Sequence, residues 1–99
     1  MTITKKLDGT AMTLALEGRL DTTTAPQLEA ELKQSLTPDI TALTLDMAEL
    51  AYLSSAGLRV ILAAQKQMNK QGGMVIHNVC DTIMEVFEVT GFTDILTIE

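Results

Sequence analysis

The order of apolar and polar positions switches along the chain between strict alternation and a helical spacing, and each switch marks an element. Ile3 to Leu7 reads as a short strand, and Asp8-Gly9-Thr10 as a tight turn in which Gly9 supplies a positive φ. Met12, Leu14 and Leu16 then alternate with Thr13, Ala15 and Glu17, which predicts a second strand closing a hairpin. Gly18-Arg19-Leu20-Asp21 leads out of it. Thr24-Ala25-Pro26-Gln27 carries a helix-start pattern, with Thr24 as cap, Gln27 as capping-box partner and Pro26 in the first turn, where no N–H is needed. Ala25, Leu28, Leu32 and Leu36 mark one helical face, and Pro38 and Asp39 end it. Ile40 to Leu45 reads as a strand with Leu43 and Leu45 on one face, closed by Asp46.

Leu58, Ile61, Leu62, Gln65 and Met68 trace a second helix, with Lys66 and Lys70 near its C-terminus and Gly72-Gly73 as a left-handed stop. Met74 to His77 is a third core strand. Ile83, Val86, Phe87 and Thr90 mark a third helix capped by Gly91, with Phe92 expected to fold back on Phe87, and Ile95 to Ile98 closes the chain as a final strand. Strands alternating with helices of about 10–15 residues imply right-handed βαβ crossovers. The expected fold is one α/β domain over residues 1–99: a small, mostly parallel sheet, an antiparallel N-terminal edge hairpin and about three helices.

One junction breaks local rules. Tyr52-Leu53-Ser54-Ser55-Ala56-Gly57-Leu58-Arg59-Val60-Ile61-Leu62 joins an apolar run to the second helix. Two serines compete there for one capping position. Gly57 sits in the first turn, where helix propensity alone would choose almost anything else.

Composition narrows the function classes. Thirteen acidic side chains face seven basic ones, a formal net charge of −6, and no basic run occurs. Such a surface repels phosphate backbones, and three aromatic side chains offer no base-stacking platform, so direct nucleic-acid binding is not expected. Cys80 stands alone and makes no internal disulfide, which fits a reducing, cytoplasmic setting. No signal-peptide core and no membrane-length apolar run is present.

Enzyme chemistry finds little support. A nucleophilic Ser54 or Ser55 needs a base, His77 is the only histidine, and the Gly-x-Ser-x-Gly elbow is absent. One His and one Cys make half a metal site at most, and Gly72-Gly73 lacks the rest of a phosphate loop, so no catalytic residue, metal or cofactor is expected. Asp21, Asp46 and Asp81 fall at or beside strand ends, where ligands bind in α/β sheets, although capping is the commoner use of each. For the serines, an unmodified helix cap is the commoner use too. The alternative is a phosphate on Ser55, read as the N-cap: the helix would tolerate the anion, and the added charge would act on a partner surface rather than on the fold. Gly57 would then give clearance for a docking protein.

The same residues resemble a known family. Tyr-Leu-Ser-Ser-Ala-Gly-Leu-Arg-Val-Ile-Leu, from Tyr52 to Leu62, is similar to the signature of STAS domains, specifically bacterial anti-sigma factor antagonists. Gly18-Arg19-Leu20-Asp21-Thr22-Thr23-Thr24-Ala25 resembles the family's Gly-x-Leu-Asp segment, Leu43-Thr44-Leu45-Asp46 its strand-Asp element, and Val89-Thr90-Gly91-Phe92 its helix exit. The resemblance implies a partner switch. The unphosphorylated antagonist binds an anti-sigma factor that is also a serine kinase and so frees a sigma factor; phosphorylation breaks the complex, and a serine phosphatase restores it. It further implies Ser55 as the phosphorylated residue, two before the glycine, with Ser54 where the family often has Asp. Asp21, Thr22, Ser54, Ser55, Ala56, Gly57 and Arg59 become the expected partner-binding surface. Members often carry a further C-terminal helix, which this chain lacks, leaving an apolar face for self-association or a partner to cover. Two other readings stand beside this one: an unphosphorylated STAS scaffold, such as a subunit of a lipid-transport ABC system, and a small serine hydrolase.

Overall fold

The computed structural model describes residues 1–99. Its elements are β1 (Thr2–Asp8), β2 (Ala11–Leu20), α1 (Ala25–Ser35), β3 (Ala42–Leu53), α2 (Ser55–Gln71), β4 (Gly73–His77) and α3 (Asp81–Val89), followed by a short 3₁₀ turn at Phe92–Asp94. The four strands form one sheet in the order β1-β2-β3-β4. The β1–β2 hairpin is antiparallel and turns at Gly9 (φ 63°), while β2–β3 and β3–β4 are parallel, as the alternation of elements implied.

Alternation places Leu14 and Leu16 of β2, Leu43, Leu45 and Met47 of β3, and Met74 and Ile76 of β4 on one buried face. Their neighbours Thr13, Ala15, Thr44, Asp46, Val75 and His77 are only half-buried on the other. Leu28 and Leu32 of α1, Ile61 and Met68 of α2, and Ile83 and Phe87 of α3 complete the core. Helix α2 lies against β3 and β4, α1 against α2, and α3 against β3. Two glutamines of α2 also fasten the loop that follows α1. Gln67 Nε2 donates to the Leu36 carbonyl at 3.0 Å, and Gln71 Nε2 donates to the carbonyls of Thr37 and Ile40, each at 2.7 Å.

Four local expectations need correction. Strand β3 does not close at Asp46 but continues to Leu53. Its register against β2 shifts between Ala15 and Glu17 and again between Gly18 and Arg19, each time with an extra β3 residue. These bulges space the buried residues Met47, Leu50 and Leu53 three apart, so the second half of the strand shows no alternation. The expected capping box at α1 does not form: Thr24 makes no side-chain cap bond, and Gln27 Nε2 donates instead to the Met1 carbonyl at 2.9 Å. The final strand shrinks to a single parallel bridge between Ile76 and Ile98, because Leu96 turns into the core and breaks the run. Gly91 does take the left-handed conformation (φ 78°), and Phe92 packs half-buried on the core that contains Phe87.

The fourth correction concerns Gly72, whose backbone is extended (φ 163°), not left-handed. Glycine is required there because a Cβ would lie 1.8 Å from the Thr41 carbonyl oxygen, where the chain crosses the start of β3. At Gly73 a Cβ meets nothing within 4 Å. Gly72→Ala is therefore expected to destabilise the domain by about 1–3 kcal/mol through backbone displacement. Gly73→Ala should change stability by less than about 0.5 kcal/mol, because the added methyl enters open space. Urea unfolding of the two variants checks this, and equal losses would refute the close-approach reading.

Candidate functional site

The site is built at the carboxyl ends of β2 and β3. The Ser54 amide donates to the Leu20 carbonyl at 2.9 Å, tying the chain leaving β3 to the last residue of β2. Ser54 has extended dihedrals (φ −97°, ψ 172°), and its Oγ accepts from the Gly57 amide at 3.3 Å, so Ser54 is the N-cap of α2. Ser55 is thereby the first helical residue rather than the cap; it is exposed, and its hydroxyl makes no hydrogen bond within the chain. The two serines do not compete, because only one is placed to cap.

Gly57 is buried, and its position has an internal cause. A Cβ there would stand 2.6 Å from Leu20 Cγ and 2.8 Å from Leu53 Cδ1. The missing side chain thus lets α2 start directly on the two strand ends. Clearance for a docking protein is not what it provides. Leu20, Leu53 and Gly57 form the floor beneath Ser54 and Ser55.

Beside this floor, the loop after β2 folds around Asp21. Asp21 Oδ1 accepts from the Thr23 hydroxyl (2.7 Å) and from the amides of Thr23 (3.0 Å) and Thr24 (3.1 Å). Thr24 Oγ1 accepts from the Asp21 amide at 2.8 Å and donates to the Arg19 carbonyl at 2.8 Å. The hydroxyl of Thr23, helped by the two loop amides, holds the Asp21 carboxyl down to about 2 in spite of the opposing desolvation. Asp21 thus organises the entry to α1 that Thr24 was expected to cap.

Arg19 and Tyr52 belong to the same surface, although the sequence pattern does not mark them as site residues. They are register partners on β2 and β3, and the Arg19 guanidinium lies 4.1 Å from the centre of the Tyr52 ring. Its Nε also approaches Asp21 Oδ2 at 3.6 Å. Tyr52 remains 41% exposed. Their pairing depends on the second bulge, which no local pattern in the sequence announces.

On the other side of Ser55 lies a cleft of about 240 Å³ between the first turns of the two helices. Thr22, Pro26 and Glu29 form one wall, and Ala56, Arg59 and Val60 the other. The structure therefore gathers Asp21, Thr22, Ser54, Ser55, Ala56 and Arg59 around the strand ends, with Gly57 beneath them.

Other candidates fall elsewhere. Asp46 lies within β3, where its Oδ1 accepts from Asn78 Nδ2 at 3.1 Å and from the Ala48 amide at 3.0 Å. These bonds, the Asn78 one foremost, hold its carboxyl below the usual range. His77 Nε2 lies 3.4 Å from Glu99 Oε1 and bonds neither serine. Asp81 opens α3, next to the exposed Cys80. No three His, Cys, Asp or Glu side chains converge as metal ligands, and no helix is long and apolar enough to cross a membrane.

The Asp21 network fixes a pH dependence. A carboxyl whose folded value lies below its unfolded one stabilises the fold above the unfolded value, and loses that contribution as pH falls toward the folded one. Asp21→Asn should lower the thermal midpoint at pH 7, and the gap to the parent should close between about pH 4 and pH 2. Melting curves across that range measure it. A gap independent of pH would mean that the carboxylate charge is not what the loop uses.

Comparison with known proteins identifies the family and the fold. The family profile described as "Mlab, STAS domain" matches residues 3–97. A protein of Bordetella bronchiseptica named as an anti-sigma factor antagonist, BtrV, is 38% identical over 94 residues, covering 94% of this chain and 80% of that protein. The anti-sigma-B factor antagonist of Bacillus subtilis is 30% identical over 84 residues, covering 84% of this chain and 76% of the relative. Among solved structures, an anti-sigma factor antagonist from Mycobacterium paratuberculosis superposes with a TM-score of 0.89 at 21% identity, covering 98% of this chain and 83% of the other. The Bacillus cell-fate determinant SpoIIAA in its phosphorylated form has the same fold, with a TM-score of 0.77 at 17% identity over 99% of this chain and 91% of its own. With a profile match over nearly its whole length and the fold shared, the chain belongs to the STAS domain family.

Proposed function

We propose that the protein is an anti-sigma factor antagonist whose partner is an anti-sigma factor with serine kinase activity, and that Ser55 is the residue the kinase modifies. The observation that carries this is the division of work between the serines. Ser54 Oγ is committed to the Gly57 amide, whereas the Ser55 hydroxyl is exposed and unpaired at the start of α2. The names of the relatives, BtrV and the anti-sigma-B factor antagonists, support the same class of partner. In the modification, Ser55 Oγ attacks the γ-phosphorus of ATP held by the kinase, the bond from that phosphorus to the ADP oxygen breaks, and the hydroxyl proton passes to a base of the kinase. A phosphatase returns the serine by hydrolysis.

The docking surface is the group around the strand ends: Asp21 and Thr22 on one side, Ser54, Ser55, Ala56 and Arg59 on the other. A phosphate adds about −1.5 to −2 charges in the middle of it. The helix tolerates that charge at its N-terminus, so the partner rather than the fold feels the change.

Incubation with serine-kinase anti-sigma factors and labelled ATP tests the assignment. The parent chain should take up one phosphate and Ser55→Ala none. Ser54→Ala should still be labelled, although with a less stable helix start, by about 1 kcal/mol. Ser55→Asp should bind the anti-sigma factor at least tenfold more weakly than the parent in calorimetry. Undiminished labelling of Ser55→Ala would move the site. Tight, kinase-insensitive binding would favour the constitutive scaffold reading.

A further inference from the structure

Arg59 stands four residues after Ser55 on the same helix, so the two share a face one turn apart. Helical side chains lean toward the N-terminus, and the patch Arg59 covers is therefore the turn that begins at Ser55. Both residues are exposed. Arg59 makes no hydrogen bond and no ion pair; Glu29, which lines the same cleft, pairs instead with Lys33 at 3.6 Å.

The chain has two arginines, and the other is already committed. Arg19 lies on the Tyr52 ring, and its Nε is 3.6 Å from Asp21 Oδ2, the carboxylate oxygen that the threonine loop leaves free. Lys66 and Lys70 sit farther along α2, Lys5 and Lys6 on β1. Arg59 is thus the one uncommitted cation near Ser55, on a molecule of net charge −6. Its guanidinium is also the group whose planar fork best matches a phosphate.

We propose that Arg59 is the intramolecular ligand of the Ser55 phosphate, and that phosphorylation works by taking this guanidinium away from the partner as well as by adding charge. The inference rests on the assignment of Ser55 as the modified residue. In the unmodified chain Arg59 forms one wall of the cleft between α1 and α2, where a partner's carboxylate would find it free. In the phosphorylated chain it folds back over the first turn and pairs in cis. The cleft then loses its cation at the moment the surface beside it turns negative, so one modification changes two parts of the docking surface.

The test uses the full chain with phosphoserine installed at position 55 by genetic encoding, independent of any kinase. Phosphorus NMR titration reads the second ionisation of the phosphate, ordinarily near about 6. Arg59→Gln should raise that value by about half a unit relative to the phosphorylated parent, because an opposite charge in contact favours the dianion. The Arg59 Nε–H signal in the parent should shift on phosphorylation and track the same titration. Arg59→Lys should fall between the two. Identical titrations for parent and Arg59→Gln, with an unmoved Arg59 Nε signal, would overturn the proposal. The Nε signal alone decides it if the glutamine variant fails to fold. A kinase that never labels Ser55 would instead sink the assignment of the site, since the installed phosphate reports the pairing either way.

Discussion

The contact of Gly57 with Leu20 and Leu53 sets where everything else in the site can stand. Those two leucines end neighbouring parallel strands, and a backbone can rest on both only where no Cβ intervenes. The hydrogen bond from the Ser54 amide to the Leu20 carbonyl fixes the same junction from the polar side. Together they determine the point at which α2 leaves the sheet. The rotation of its first turn follows, and with it the outward direction of Ser55 and Arg59. The chemistry is exposed because what lies under it is tightly closed.

Around that floor, polar groups divide into satisfied and unsatisfied ones. Asp21 receives three donors within its own loop, Thr24 bridges backbone groups, and Ser54 holds the helix start. A half-buried carboxylate with so many local donors is structural before it is anything else, and its lowered pKa reports that. Ser55 and Arg59 are the groups left over. The proposed partner switch needs a rigid frame with a few uncommitted side chains, and this loop and cap would provide that frame.

Much of this was legible in the sequence where one local rule governs. The alternation of Met12, Leu14 and Leu16 located β2 because one face of it is buried, and the spacing of Leu28 and Leu32 located the inner face of α1. Rules failed where tertiary contacts outvoted local ones. Thr24 reads as a cap by composition, yet its hydroxyl is taken up upstream, by the Asp21 amide and the Arg19 carbonyl. Gly72 reads as a left-handed stop, but its neighbour in space, Thr41, is what excludes a side chain. The second half of β3 was invisible because two bulges replace a period of two with one of three. That hid the register pairing of Arg19 with Tyr52 as well. The site was found through its serines, while half of its surface depended on a register no local pattern reveals.

The paired serines show why one hydroxyl would not suffice. A capping oxygen is held in place by the amide it serves, so a kinase acting on it would have to break the helix start to reach it. Phosphate on Ser54 would displace or distort the bond to the Gly57 amide, directly above the contact that seats α2. The modification would then couple to folding, and the switch would leak into stability. Moving the modifiable hydroxyl one residue along, onto the first exposed helical position, separates the two. Under the proposed switch, Ser54 would keep α2 anchored in both states, and Ser55 would be free to change the surface alone.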